Sequence, residues 1–187
     1  MTSMRSDVLG LPWGRPLTRA DLDQMPEDGH RYELIDGTLI VSAAPRPLHQ
    51  VAAFGLARLL ADCAPDSMRV LMAPVDVALA DDTVLQPDVL LAAREAFTDR
   101  GLSRAPLLAA EVLSPSTAVF DLNSKRARLE QAGCQHYWVL DPDAPSLQMW
   151  ALGRSGRYSE VAHAVGEQEI LVEEPFPVTI VPARLLD

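Results

Sequence analysis

Three positions carry residue types able to work together on a phosphodiester: Asp88 behind Pro87 in QPDVLLA, Glu111 inside the apolar run LLAAEVLS, and Lys125 in FDLNSKRARLEQAG. Two carboxylates on neighbouring strands offer the oxygen ligands that hard cations such as Mg²⁺ prefer. A cation held there acidifies a water and polarises a phosphoryl oxygen, and a nearby ammonium stabilises the charge that develops at phosphorus. Glu111 is the most demanding of the three. Its flanks are apolar, so a carboxylate there needs a metal, a cation or a shared proton as partner. Asp88 also reads as an ordinary strand-end carboxylate in a turn.

Lys125 stands out by composition. Of the 16 basic residues it is the one lysine, every other being arginine. Its plain reading is an exposed helix lysine paired with Asp121 one turn earlier, worth about 0.2–0.5 kcal/mol. Arginine would serve equally well there, and Lys125→Arg would fold normally. A role for which only a compact ammonium is suited explains the exception better. Neutralising the Asp88–Glu111 pair would relieve repulsion between like charges in the metal-free protein.

These residues need elements to position them. Thr18 followed by Asp21 opens a short helix with a capping box. RYELI and TLIVS flank Asp36-Gly37, the dipeptide suited to a two-residue type I′ turn, which sets Glu33 on a strand. PRPLHQ leads into a helix through VAAFGLARLLADCA, with Ala52, Leu56, Leu59, Leu60 and Cys63 on one apolar face. VLMAPVDVALA, the turn at Asp81-Asp82 and TVLQPDVLLAA read as a second hairpin. PLLAAEVLS suits a central strand buried on both faces. Ser116 or Thr117 caps the helix that carries Lys125, and Gly133 ends it. HYWVLD, SLQMWALG, RYSEVAHA and PFPVTIVP follow as strands. The expected fold is α/β (α+β), a mixed β-sheet flanked by helices with additional antiparallel strands.

Length and composition fit one domain over residues 1–187. No apolar run approaches the ~20 residues that span a bilayer, and MTSMRSDVLGLPWGRP lacks a signal peptide's apolar centre. A cytoplasmic protein without membrane contact is expected. Cys63 and Cys134 read as buried free thiols. The net charge of −10 opposes a broad electrostatic grip on nucleic acid, which leaves a local basic patch around Lys125, Arg126 and Arg128. His49, near a helix start, reads as a capping or surface group, or as one that orients water or binds phosphate. Arg128 shares the face of Lys125 and is placed to touch phosphate. Gln50 and Gln86 rank lower, and Tyr137 and Trp138 read as core.

YELIDG, PRPLHQ, QPDV, AAEVLSPST, the D…K pair and AGCQHYWVLDP occur in the order seen in the PD-(D/E)xK restriction-endonuclease-like superfamily. The chain most resembles its Uma-two-type endonuclease branch, over about residues 17 to 185, which sets the core of the domain. The resemblance implies a restriction-endonuclease-like fold with Asp88 and Glu111 as metal ligands and the main-chain carbonyl of Val112 as a further one. The superfamily's plain pattern has its lysine two residues after the glutamate, where this chain has Leu113. In the branch it resembles, the next helix supplies the lysine, and Lys125 matches that position. Glu33 matches an acidic position near the site; its other reading is an ordinary hairpin carboxylate.

The implied activity is a Mg²⁺-dependent endonuclease, with Mn²⁺ as substitute cofactor, that hydrolyses nucleic acid with a metal-activated water. DNA comes before RNA as substrate. A homodimer is implied by the resemblance and suits the apolar C-terminal strands. The alternative is a non-catalytic, dimeric nucleic-acid or protein interaction domain that retains the nuclease fold. Net acidity favours that alternative; the intact Asp, Glu and Lys set disfavours it.

Overall fold

The computed structural model describes residues 11–12, 14–114 and 120–187, and of residues 120–122 the backbone alone. The cap expected at Ser116 or Thr117 and the Asp121 side chain lie outside the described residues. α1 (Arg19–Leu22) opens as expected, with the Asp21 carboxylate accepting the Thr18 N–H at 2.8 Å. β1 (Arg31–Ile35) and β2 (Thr38–Ser42) pair antiparallel around Asp36 and Gly37. Both turn residues have positive φ, 52° and 71°, as a type I′ turn requires.

α2 (Pro47–Cys63) begins with proline at its first position, where the missing N–H costs nothing. The single hairpin expected from VLM to LAA divides between two sheets. Its outer arms, β3 (Met68–Met72) and β6 (Val89–Ala93), pair antiparallel in one sheet. Its inner arms, β4 (Val77–Ala80) and β5 (Thr83–Leu85), pair in another. The prolines at Pro74 and Pro87 mark where both arms leave one sheet for the other, since proline lacks the N–H that would continue a ladder.

The smaller sheet therefore runs β2-β1-β5-β4. The larger runs β10-β9-β8-β7-β6-β3, with β7 (Leu108–Val112), β8 (His136–Asp141), β9 (Ser146–Leu152) and β10 (Tyr158–Val165). Within the larger sheet β7 and β8 pair in parallel, and a parallel pair needs a crossover. That crossover contains a π-helical turn, Phe120–Lys125, continuous with α3 (Arg126–Gln131). α3 ends in a Schellman motif: Cys134 N–H donates to Leu129 C=O at 3.0 Å and Gly133 N–H to Glu130 C=O at 3.1 Å, with Gly133 at φ 81°. β11 (Ile170–Val172) and β12 (Val178–Ile180) form a separate two-stranded sheet.

The larger sheet is covered on both faces. On one, Ala52, Ala53, Leu56 and Leu60 of α2 pack on Val89, Leu91, Leu108, Ala110, Val112 and Trp138. On the other, Ala109, Tyr137 and Val139 meet Leu129 of α3 and Ile35 and Leu85 of the smaller sheet. Tyr137 and Trp138 are core, as expected. Cys134 is buried, but Cys63 is exposed, because the last turn of α2 runs past the edge of its apolar contact.

Gly55 fixes how closely α2 meets the C-terminal 3₁₀ turn, Pro182–Leu186. A Cβ there would stand 2.1 Å from the Leu185 carbonyl oxygen, which is backbone and cannot swing aside. Gly55→Ala gains helix propensity of about 1 kcal/mol, yet overpacking of this kind costs about 1–3 kcal/mol. Urea unfolding should show the variant less stable than the parent; equal or greater stability would mean that the turn yields.

Candidate active site

Strand parity brings the acidic side chains together. On β7, Leu108, Ala110 and Val112 face α2, so Ala109 and Glu111 face the smaller sheet and α3. On β1, Arg31, Glu33 and Ile35 share the face that meets Ala109 and Leu129 through Ile35. Asp88 lies in the segment that carries the chain from β5 to β6. It stands one residue before Val89, whose ladder partner is Ala110, so the antiparallel register sets it opposite Glu111. Lys125, on the π-helical turn, completes the group from the crossover. The site is thus a seam between two sheets, closed by the connection between two parallel strands.

The charges at this seam are hidden from water. Relative exposure is 1% for Glu33, 3% for Asp88, 0% for Glu111 and 2% for Lys125. Lys125 Nζ stands 3.0 Å from Glu33 Oε1 and 3.3 Å from Glu111 Oε1. Glu33 Oε1 also accepts the Gln86 N–H at 2.7 Å. Asp88 Oδ1 accepts from Arg31 Nη1 at 2.7 Å, and Asp88 Oδ2 accepts the Val112 N–H at 2.9 Å and lies 3.1 Å from His49 Nε2. Arg31 Nε is 3.7 Å from Glu33 Oε2.

Burial alone would raise the Asp88 pKa. The His49 hydrogen bond, the Arg31 charge and the Val112 N–H outweigh it and hold the carboxyl well below the usual range. Burial likewise opposes the charge on Arg31, and Asp88, Glu33 and Glu111 together raise its pKa instead. In the metal-free site each of these like charges has a cation beside it, Arg31 at Asp88 and Lys125 at Glu111.

A cleft of about 770 Å³ opens onto this seam, lined among others by Arg31, His49, Gln50, Gln86, Asp88 and Ser114. Glu111 and Lys125 are not part of its lining. Of the expected site residues, the structure brings Glu33, His49, Asp88, Glu111, Val112 and Lys125 together. His49 is no surface cap: it is buried against Asp88. Arg128 is elsewhere, paired with Asp36 at the hairpin tip and with Gln131. The basic patch expected around Lys125 does not form, because Lys125 is buried and Arg126 lies over the Trp150 ring at 5.0 Å.

Arg31 is the residue the sequence reading missed. Its signal was present, since it stands two positions before Glu33 on a strand and so on the same face. Gln86 was undervalued: it ties Glu33 through its N–H and Asp76 through its side chain at 2.8 Å.

For a divalent cation, the donor chemistry fits: carboxylates converging from β1, β7 and the β5–β6 connection, and a backbone carbonyl at Val112. Among the described residues no three acidic, histidine or cysteine side chains already form a cation cage. Arg31 and Lys125 occupy the carboxylate oxygens instead.

A family model described as "Uma2: Putative restriction endonuclease" matches residues 19–184. No curated protein matches the sequence. Among solved structures, similarity extends to one described as a "putative nuclease belonging to DUF820" from Anabaena variabilis ATCC 29413, with TM-score 0.74 and 17% identity over 91% of this chain and 98% of that one. At that identity the likeness concerns the fold: a mixed α+β architecture of mostly antiparallel strands. No helix among the described residues is long and apolar enough to cross a membrane.

Two outcomes follow from the burial. Lys125→Met leaves Glu33 and Glu111 without their shared cation and should cost about 3–5 kcal/mol at neutral pH, with Glu33→Gln added to it recovering part of the loss. Lys125→Arg, which an exposed position would tolerate, should also destabilise, by about 1–3 kcal/mol, because a broader group must fit a closed site. For Asp88, a depressed folded pKa means stabilisation present above the unfolded value, about 3.9, and lost as pH falls through the folded value. Asp88→Asn should be less stable than the parent at pH 7, and the gap should close progressively below about pH 4. A gap independent of pH would contradict this.

Proposed function

Because the chain belongs to the Uma2 family of restriction-endonuclease-like proteins, we propose that the seam between its two sheets is the active site of a divalent-cation-dependent endonuclease. One observation carries the reading: Glu33, Asp88, Glu111 and Lys125, distant in sequence, converge from β1, the β5–β6 connection, β7 and the crossover at buried positions. Structural convenience does not account for three buried carboxylates, since replacing a buried ion cluster by apolar residues is often neutral or stabilising.

Asp88 and Glu111, with the Val112 carbonyl, would hold the cation. When bound it supplies Lewis-acid polarisation of a phosphoryl oxygen and a more acidic water. The chain's own groups do the rest. His49 and the Val112 N–H fix the orientation of Asp88. Glu33, itself pinned by the Gln86 N–H, holds Lys125 Nζ beside Glu111. A compact ammonium in that place, behind the cleft wall, would stabilise negative charge developing at the reacting phosphate through its field rather than by contact. Lys125 is thus assigned the charge-stabilising role, and Glu33 the positioning of Lys125.

The same reading takes Mg²⁺ as cofactor with Mn²⁺ as substitute, DNA before RNA as substrate, a homodimer as working unit and the cytoplasm as compartment. It treats residues 1–187 as one domain. Family membership supports a nucleic-acid substrate. Arg128 has no assigned part, given its place at the hairpin tip.

With metal alone, Mg²⁺ or Mn²⁺ should raise the melting temperature by linkage, about 2.7 kcal/mol at a hundredfold excess over Kd. Asp88→Asn combined with Glu111→Gln should abolish the rise. Single-turnover cleavage of plasmid and of single-stranded DNA and RNA should depend on the same metals. Lys125→Arg, assayed where it is folded, should keep the metal response and lose on the order of a hundredfold in rate. A parent that neither responds to metal nor cleaves points to the non-catalytic interaction domain.

A further inference from the structure

Three carboxylates at the seam face two permanent cations, and these differ in their access to the cleft. Lys125 is closed off, whereas the Arg31 side chain is 21% exposed and Arg31 lines the cleft beside Asp88. The contacts made by the Arg31 guanidinium use Nη1, to Asp88 Oδ1 at 2.7 Å and Gln86 C=O at 3.5 Å, and Nε, to Glu33 Oε2 at 3.7 Å. Nη2 takes no part in them. A guanidinium carries five N–H donors in a fork that matches carboxylate and phosphate alike.

Charge balance gives this arrangement a direction. Leaving the His49 imidazole aside, the carboxylates Glu33, Asp88 and Glu111 exceed Arg31 and Lys125 by one negative charge. A divalent cation turns that deficit into a surplus of one positive charge, and one phosphodiester restores neutrality. A cation held by Asp88 would compete with Arg31 for that carboxylate, whose Oδ1 accepts from the guanidinium.

Resting on the nuclease reading above, we propose that Arg31 is the phosphate-binding residue of this cleft. It neutralises Asp88 in the metal-free protein, and releases that carboxylate to a divalent cation as its fork turns to a phosphate oxygen of the nucleic acid. Metal and substrate then bind cooperatively, and by reciprocity each tightens the other by the same factor. Lys125 cannot exchange partners in this way from its closed position.

The test titrates Ca²⁺, a hard cation with the same oxygen preference, by thermal shift. It then measures the anisotropy of a fluorescent single-stranded oligonucleotide with and without Ca²⁺. Parent, Arg31→Gln and Arg31→Lys are compared after circular dichroism confirms folding. Removing a competitor for Asp88 should make Arg31→Gln bind Ca²⁺ several-fold more tightly than the parent. Losing a charge-assisted contact should weaken oligonucleotide binding in Ca²⁺ by about tenfold to a hundredfold. The Ca²⁺-dependence of oligonucleotide affinity should collapse in that variant. Arg31→Lys, which keeps the charge without the fork, should fall between. Equal oligonucleotide affinity in parent and Arg31→Gln, or weaker Ca²⁺ binding by the variant as a merely structural role would give, overturns the assignment and leaves the nuclease reading standing. A parent without a saturable Ca²⁺ response removes both. Should Arg31→Gln fold only with Ca²⁺ present, Arg31→Lys carries the comparison: affinities equal to the parent's overturn the proposal, and intermediate ones support it.

Discussion

A carboxylate withdrawn from water must find a cation or a set of donors, and this chain withdraws three of them within one small volume. The rest of the seam answers that condition. Lys125 serves Glu33 and Glu111, Arg31 serves Asp88 and leans on Glu33, the Val112 N–H donates to the second Asp88 oxygen, and the Gln86 N–H shares Glu33 Oε1 with Lys125. Apart from the Arg31–Glu33 contact within β1, these contacts join different parts of the chain, so the two sheets, the crossover and the start of α2 must be placed together before the cluster is complete. A network with one member removed is worse than an apolar core. That asymmetry makes the cluster costly to keep for stability alone, and it favours a use for the charges.

Much of the architecture was legible because local rules and tertiary context agreed. Asp36-Gly37 declared its turn, Gly133 its helix end, and the apolar run around Glu111 its central strand. Where they parted, the cause was long-range. No local signal says that residues flanking Asp81-Asp82 belong to two sheets; the prolines at Pro74 and Pro87 record the crossing only in retrospect. Lys125 was read as exposed or functional from its singularity, and burial rules out the exposed reading, since an ammonium that is 2% exposed is no solvated surface group. Arg31 was overlooked because an arginine two residues from a glutamate is common on surface strands. Only the pairing of β1 with β5 and the packing of its face against the larger sheet show that this face looks inward. His49 was undervalued for the same reason: a residue in the first turn of a helix is exposed unless another element covers it, and the segment bearing Asp88 does so.

The acidic net charge no longer counts simply against nucleic acid. The basic groups around Lys125 are spent on internal contacts, with Glu33 and Glu111, with Trp150 and with Asp36. A cleft whose Arg31 is already engaged with Asp88 and whose Arg46 is paired with Asp143 offers phosphate little attraction until another positive charge arrives. Under the exchange proposed for Arg31, such a site would bind nucleic acid conditionally, which suits a nuclease that must not grip every polyanion it meets. The likeness to a solved fold at 17% identity extends over 91% of the chain, so the scaffold is shared even where the sequence has diverged.

The most direct test of the whole account is a crystal structure grown with Mn²⁺, with data collected at the manganese absorption edge. The account predicts one anomalous peak between the Asp88 and Glu111 carboxylates and within coordinating distance of the Val112 carbonyl, with the Arg31 guanidinium moved off Asp88 and Lys125 still beside Glu33. A crystal saturated with Mn²⁺ that shows no peak at the seam, with Arg31 still bound to Asp88, would contradict it.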